Sequence, residues 1–246
     1  MMTTMANPCN ISADLEKYNV KEAPSAVYYI PNFITETEEE HLLQQVYRAP
    51  KPKWTQLSGR RLQKWFLISV FNISGGLPNP KGMLAEKLPE WLKYTEKISA
   101  LGAFAGKTAN QVLVNEYKPG EGIMPHEDGP LYHPTVTAIS LGYHTLLDFY
   151  RPVCQTQLEI PQTEESRYML SLLVLRQSLL ILQDDMYKCY LHGIQGVCED
   201  TLSEHVVNLS SAGGQVGDTL ARGTRISLTI RHILKVIRAN LLLGQK

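Results

Sequence analysis

His126 and Asp128 stand two residues apart in the run Asn115-Glu-Tyr117-Lys-Pro119-Gly120-Glu-Gly122-Ile-Met-Pro125-His126-Glu-Asp128-Gly129. On extended backbone that spacing sends both side chains to one side, so an imidazole and a carboxylate can each give one ligand to a single divalent ion. Nitrogen with oxygen suits Fe(II), Mn(II) or Zn(II) better than a soft thiolate site would. The pair alone is a weak signal, because His-x-Asp is common in any protein. A third ligand is needed. Of the seven histidines, His192 is the best placed, in Tyr190-Leu-His192-Gly193-Ile194, a short polar connection after the buried-looking strand Ser178–Leu182. Two histidines and one carboxylate leave positions open on an octahedral ion.

A second constellation lies downstream. In Arg225-Ile-Ser-Leu-Thr-Ile-Arg231 the residues alternate, with Ile226, Leu228 and Ile230 on one face and Arg225, Ser227, Thr229 and Arg231 on the other. If the apolar face packs on the core, the polar face is either solvent or the lining of a pocket. Two guanidinium groups and two hydroxyls suit a small dicarboxylate, because guanidinium meets carboxylate through two parallel hydrogen bonds. Asn115 and Tyr117 likewise share a face and can donate to a ligand.

His-x-Asp, a distant His and Arg-x5-Arg, preceded by Asn-x-Tyr, together resemble the AlkB-like Fe(II)/2-oxoglutarate dioxygenases. The likeness runs from about Val27 to Lys246; the combined motif is specific, and each piece alone is not. The resemblance implies a double-stranded β-helix (jelly roll) with Fe(II) on His126, Asp128 and His192. It implies 2-oxoglutarate bound to the iron by its keto-acid end and to Arg225 by its far carboxylate, assisted by Asn115, Tyr117 and Ser227, with Arg231 nearer the metal and substrate and O2 as third reactant. The implied reaction is oxidation of a C–H bond, such as that of an N-methyl group, with release of succinate and CO2. Family members act on alkylated DNA, RNA or protein. The implied substrate is therefore a single-stranded or alkylated nucleic acid, with two alternatives: a nucleic-acid-binding protein that keeps metal and cosubstrate without efficient demethylation, and a protein hydroxylase.

The elements that must position these residues are mainly strands. Short runs at Gln111–Tyr117, Thr135–Leu141, Leu146–Tyr150, Tyr168–Leu175, Ser178–Leu182, His205–Leu209 and Arg225–His232, with turn signals between them, predict a mainly β fold with flanking helices. Thr35 with Glu38 forms a capping box opening a helix to about Tyr47 that buries Leu42, Leu43 and Val46. A second amphipathic helix is predicted over Glu86–Phe104, with Trp91, Leu92, Ile98 and Leu101 as its apolar positions. Residues 1–25 read as a flexible tail, and 26–246 as a single domain whose polar segments 151–167 and 200–223 read as mobile loops.

From His41 to Ala85 there is no acidic residue, while Arg48, Lys51, Lys53, Arg60, Arg61, Lys64 and Lys81 interleave with Trp54, Trp65, Phe66 and Phe71. Cations for phosphate and rings for stacking are what a nucleic-acid-facing loop needs. The same run also fits a solvated basic loop whose tryptophans tuck into the core. In the resembled family this region, about 49–85, is a lid over the substrate, which implies that Trp54, Arg60 and Arg61 contact it. The apolar stretch Phe66–Ser74 reads as an insertion relative to that family, either an added strand or an exposed aggregation hazard.

The remaining signals bound the setting. A chain of 246 residues with 43% apolar residues is ample for one core, and its zero net charge excludes neither nucleic acid nor protein as partner. Cys9, Cys154, Cys189 and Cys198 show no Cys-x-x-Cys spacing and read as reduced thiols of an intracellular protein, cytoplasmic or nuclear. No signal peptide is expected at Met1–Asp14 and no membrane span anywhere, and the chain is expected to be monomeric. The sequons at Asn10, Asn72 and Asn208 read as chance matches. His133 and His144 read as surface or supporting residues, His232 as lying on the apolar face of its strand, and Asp184-Asp185 as a solvated cap; neither His41, on the first helix, nor His205, beside a loop, is chosen as a ligand.

Overall fold

The computed structural model describes residues 13–24, 26–65, 83–84, 88–153, 163–234 and 236–237. In chain order its strands are β1 (Val27–Ile30), β2 (Trp54–Gln56), β3 (Arg61–Trp65), β4 (Met83–Leu84), β5 (Gln111–Tyr117), β6 (Ile123–His126), β7 (Thr135–Leu141) and β8 (Thr145–Tyr150). They continue with β9 (Tyr168–Val174), β10 (Leu179–Gln183), β11 (Leu191–Ile194), β12 (Glu199–Thr201), β13 (Thr219–Ala221), β14 (Arg225–Arg231) and β15 (Val236–Ile237). Seven form one antiparallel sheet, β1-β10-β7-β14-β5-β3-β2, and four form a second, β6-β11-β8-β9.

Strand alternation shows how the layers stack. In β10, Leu179 and Ile181 join one core cluster with Ile226, Leu228 and Ile230 of β14 and with Leu42, Val46 and Ile98 of the helices. The intervening Leu180 and Leu182 join another with Phe149 of β8 and Leu170, Leu172 and Val174 of β9. The large sheet is thus covered by helices on one face and by the small sheet on the other. A strand buried on both faces reads as an unbroken apolar run, as Leu179–Leu182 does. This is the mainly β jelly-roll architecture with flanking helices that the sequence predicts.

The helix Glu36–Arg48 carries the predicted capping box: Glu38 N–H donates to Thr35 Oγ1 at 3.2 Å, and Thr35 N–H donates to Glu38 Oε2 at 2.8 Å. Leu42 and Val46 are buried and Leu43 is half-buried. Its fourth residue, Glu39, is fully buried. Glu39 accepts from Gly142 N–H in the β7–β8 turn at 2.7 Å and from Arg176 Nε and Gln177 Nε2 in the β9–β10 turn at 2.8 and 2.7 Å. One carboxylate therefore ties the helix to two turns, each of which crosses from one sheet to the other.

Several expectations are corrected. The second helix is shorter, Tyr94–Ala100, preceded by a 3-10 turn Glu90–Leu92 and followed by turns around Gly102 and Gly106, both at positive φ. Pro89 and these glycines break the helix although the apolar spacing runs on, with Leu92 and Ile98 buried and Trp91 and Leu101 packed at the edge. Residues 13–24 are not a loose tail: Ala13–Glu16 is helical, Leu15 is fully buried, and Asn19 bridges to Tyr28. The predicted strand at His205–Leu209 is instead a turn leading to a short helix, Leu209–Ala212.

The segment 200–223 is pinned rather than loose. Leu202 and Val206 are buried against Leu173, and Arg222 forms a two-pronged pair with Asp200, Nε to Oδ2 at 2.7 Å and Nη2 to Oδ1 at 2.6 Å. Asn208 is buried, its amide donating to Leu173 O at 2.9 Å and accepting from Leu173 N–H at 2.8 Å. The polar segment 151–167 holds a capped turn of helix, Glu164–Arg167. Asp184 and Asp185 are exposed in the first turn of the helix Asp184–Lys188. The stretch Phe66–Ser74 and the cysteines Cys9 and Cys154 lie outside the described residues; Cys189 and Cys198 are free and exposed. Among the described residues no helix is long and apolar enough to cross a membrane.

The Glu39 contacts give a test. Burial on its own would raise the Glu39 carboxyl, but hydrogen bonds from Arg176, Gly142 and Gln177 outweigh it and hold the group below its ordinary 4.5. Replacing Glu39 by Ala leaves those donors unmet and should cost roughly 2 kcal/mol in urea unfolding at neutral pH. Because the folded value is depressed, the carboxylate's contribution is complete above the unfolded value. It should fade as pH falls through the folded one, so the gap between the two proteins should narrow below about pH 4.5.

Candidate metal centre and cosubstrate pocket

β6 and β11 run antiparallel at the mouth of the sandwich, and the register places His126 opposite His192. Their rings lie 4.5 Å apart, centroid to centroid. Asp128 follows two residues after His126, and a nitrogen of each imidazole and a carboxylate oxygen all fall within 4.8 Å of one another. His126 Nδ1 is 2.9 Å from Met124 O. A carbonyl only accepts, so Nδ1 carries the proton and Nε2 is left with its lone pair.

His192 packs beside Phe149, and burial pulls its imidazole down to about 4, so it is neutral at pH 7. For Asp128 burial alone would raise the carboxyl, but Arg231, 2.8 Å away, and the two histidines outweigh it and hold it below the usual range. Asp128 Oδ2 is buried with no hydrogen-bond partner. Two neutral imidazoles and an ionised carboxylate with an unmet oxygen fit a divalent metal of intermediate hardness, Fe(II) among them.

Behind these ligands a cavity of about 680 Å³, its open mouth included, lies between the sheets. β14 and β5 build one wall, with Arg225 opposite Tyr117 and Ser227 opposite Asn115. Arg225, Ser227, Thr229 and Arg231 all face this cavity, and Val136, Ala138, Leu147, Leu180 and Leu182 make its apolar lining. Arg225 is buried; Nη2 donates to Ser140 Oγ at 2.8 Å, Nε meets no partner, and no carboxylate pairs with it among the described residues. Burial pulls its guanidinium down to about 10, still charged at neutral pH. Burial pushes the Tyr117 phenol up, so Tyr117 is a neutral hydroxyl donor. Asn115 Nδ2 donates to Thr229 Oγ1 at 3.4 Å. A desolvated cation with unmet donors calls for an anion.

Of the three residues expected over the substrate, only Arg60 lines the cavity. Trp54 and Arg61 are turned to each other and away from it: the Arg61 guanidinium sits 4.1 Å from the Trp54 ring and binds Glu116 through Nε at 2.6 Å and Nη2 at 2.8 Å. Trp65 is held by Lys53 at 4.3 Å and by the edge of Trp91 at 5.2 Å. These rings and charges hold the β2–β3 hairpin to the sheet, with Trp54 and Trp65 packed against the core. Ser140, which accepts from Arg225, is a residue the sequence reading missed; the one hint there is a hydroxyl among Val136 and Ala138 on the inner face of β7.

The other histidines are elsewhere. His133 stands between Phe104 and His232, His144 lies 3.2 Å from Asp200, and His41 and His205 are exposed. His232 is not on the apolar face: β14 ends at Arg231, and the His232 Nδ1–H donates to Thr108 O at 2.6 Å. Among the described residues His126, Asp128 and His192 form the one group of three able to hold a metal.

The comparison with known proteins agrees with this chemistry. A model of the 2OG-Fe(II) oxygenase superfamily matches residues 26–231. The chain belongs to that superfamily. The probable RNA/DNA demethylase ALKBH6 of Danio rerio is 79% identical over 243 residues, 98% of this chain and 100% of that protein. The uncharacterized protein L905 of Acanthamoeba polyphaga mimivirus is 27% identical over 224 residues, 89% of this chain and 91% of that protein. The structure of OsALKBH1 superimposes with a TM-score of 0.52 at 14% identity, over 84% of this chain and 96% of that one, a likeness of fold. As a 2OG-Fe(II) oxygenase the chain works with Fe(II), 2-oxoglutarate and O2.

In this oxygenase glycines set the spacing around the candidate metal ligands. Gly122 N–H donates to Gly59 O at 3.1 Å, and a Cβ on Gly59 would come within 2.5 Å of Gly122 O. A Cβ on Gly122 would come within 2.2 Å of Ile194 O. The hairpin tip thus rests backbone to backbone on the start of β6, which is itself pressed onto β11. Gly122→Ala must part the strands that carry His126 and His192. It is expected to weaken Mn(II) binding, measured by calorimetry, by about tenfold, the scale of losing support around a metal ligand.

Proposed function

We propose that this oxygenase oxidises an N-methyl group on a single-stranded or otherwise exposed nucleic-acid base, with Fe(II) held by His126, Asp128 and His192 and 2-oxoglutarate anchored on Arg225. The observation that carries the reading is the buried Arg225 guanidinium, which has no carboxylate partner among the described residues and lies in the same cavity as the three candidate ligands.

When bound, the iron with O2 supplies the oxidising power, consuming one 2-oxoglutarate to succinate and CO2 for each C–H bond oxidised, and an N-hydroxymethyl product then sheds formaldehyde. The chain's own part is binding and exclusion. Arg225 and the neutral Tyr117 hydroxyl receive the distal carboxylate, with Asn115, Ser227 and Thr229 adjoining. Arg231 neutralises Asp128 and keeps it ionised as a ligand. Val136, Ala138, Leu180 and Leu182 keep water from the apolar wall, which strengthens each charged contact inside.

Support for a nucleic-acid substrate comes from the Danio rerio relative, named a probable RNA/DNA demethylase, and from Arg60, the cation of the basic run that lines the cavity. A cavity enclosed between two sheets admits a base only once it has left its stack. In an assay with a panel of methylated oligonucleotides, the wild type should form succinate and formaldehyde in equal amounts when Fe(II), 2-oxoglutarate and O2 are all present. Asp128→Ala should form no succinate above background; turnover at the wild-type rate would sink the assignment of the metal site. Arg225→Met should raise KM for 2-oxoglutarate by at least about a hundredfold, as expected when a charged hydrogen-bonded pair is lost in a dry pocket.

A further inference from the structure

Among the described residues three guanidinium groups and one carboxylate line the cavity. Arg231 is matched by Asp128. On the oxygenase reading proposed above, which this inference deepens, the two carboxylates of 2-oxoglutarate are matched by Arg225 and the metal. Arg60 is left over. Its Nε donates to Asn115 Oδ1 at 3.2 Å, and its terminal nitrogens have no hydrogen-bond partner among the described residues.

Its position is as telling as its charge. Arg60 lines both the inner cavity and an outer groove bounded by Ser58, Gly59, Gly122–Pro125, Tyr150, Glu164 and Gly193–Val197. It therefore stands at the doorway between the metal and the surface. The glycine contacts fix the hairpin tip on β6, so the guanidinium is presented from a braced turn and not from a free loop. Among the described residues of the groove wall, Glu164 is the one charged side chain besides Arg60.

We propose that Arg60 is a substrate-binding residue, receiving a backbone phosphate of the nucleotide whose base enters the cavity, while its Nε bond to Asn115 keeps it aimed past the cosubstrate. A fixed cation at the rim suits a ligand that carries a charge on every unit and must be read for position more than for sequence. Asn115 then touches both partners, the cosubstrate on one side and the substrate's anchor on the other.

The test is a titration of the full chain, loaded with Mn(II) and 2-oxoglutarate, against a labelled single-stranded RNA of mixed sequence at several salt concentrations. Arg60→Ala should weaken binding about tenfold and lower the slope of log affinity against log salt by about one, the signature of one lost phosphate contact. Arg60→Lys should keep the slope. Arg48→Ala, which removes the same charge from the exposed end of the Glu36–Arg48 helix, should change neither by more than about twofold. Wild-type affinity and slope in Arg60→Ala overturn the proposal. A rise in KM for 2-oxoglutarate that matches or exceeds the loss in RNA affinity reassigns Arg60 to the cosubstrate. Absence of RNA binding by the wild type, with an Arg60-dependent affinity for an acidic peptide instead, transfers the site to a protein substrate. Failure of the wild type to bind Mn(II) and 2-oxoglutarate at all rejects the oxygenase reading itself, a different result from any of these.

Discussion

A positive charge buried without its counter-ion is the constraint around which this molecule is arranged. Taking a guanidinium out of water is unfavourable by several kcal/mol unless its donors are met. Arg225 has one protein acceptor, Ser140, and an unmet Nε. It is held there because the other face of its strand inserts Ile226, Leu228 and Ile230 into the main core. The same strand that stabilises the fold thus carries the group that destabilises it locally, and a dicarboxylate held as proposed above would resolve the conflict. Strain of this kind at a functional site, offset by packing elsewhere, is the usual relation between a binding pocket and its scaffold.

The three candidate metal ligands follow the opposite logic. His126 and His192 are placed by a short antiparallel pairing at the rim, where Gly122 and Gly193 let the backbones approach without side chains between them. The Met124 carbonyl fixes the tautomer of one imidazole, and Arg231 keeps the carboxylate ionised. Packing positions the Arg225 end of the cavity, and backbone contact positions the end that carries the candidate metal ligands. The two meet at Arg231, which touches Asp128 and lines the same wall as Arg225.

Local alternation made much of this legible in the chain. Gln111–Tyr117 and Thr135–Leu141 match the strands residue for residue, and the two-faced pattern of 225–231 placed four polar side chains in a pocket because period-two alternation survives any tertiary arrangement. The triad was legible because three residue types at recognisable positions have few other uses together. What stayed hidden depends on partners far off in sequence. Arg61 looked free for phosphate until Glu116, 55 residues on, claimed it. Glu39 carries no local signal beyond its place in the first turn of a helix, yet it joins that helix to the β7–β8 and β9–β10 turns. Serine and glycine made 200–223 read as a loop, although Leu202, Val206 and the Asp200–Arg222 pair pin it to the small sheet.

That pinned segment also changes what the outermost strand presents to other molecules. β9 is the border of the four-stranded sheet, where a row of free backbone donors and acceptors would invite pairing with a second chain. The Asn208 side chain answers both backbone groups of Leu173, while Ser171 N–H reaches His205 O and Val207 N–H reaches Ser171 O. A side-chain amide and three residues of loop impersonate a neighbouring strand, so the border is closed from within the same chain. An amide occupied in this way is also closed to sugar attachment, which makes the Asn-Leu-Ser triplet at 208 a structural clasp that only looks like a glycosylation signal.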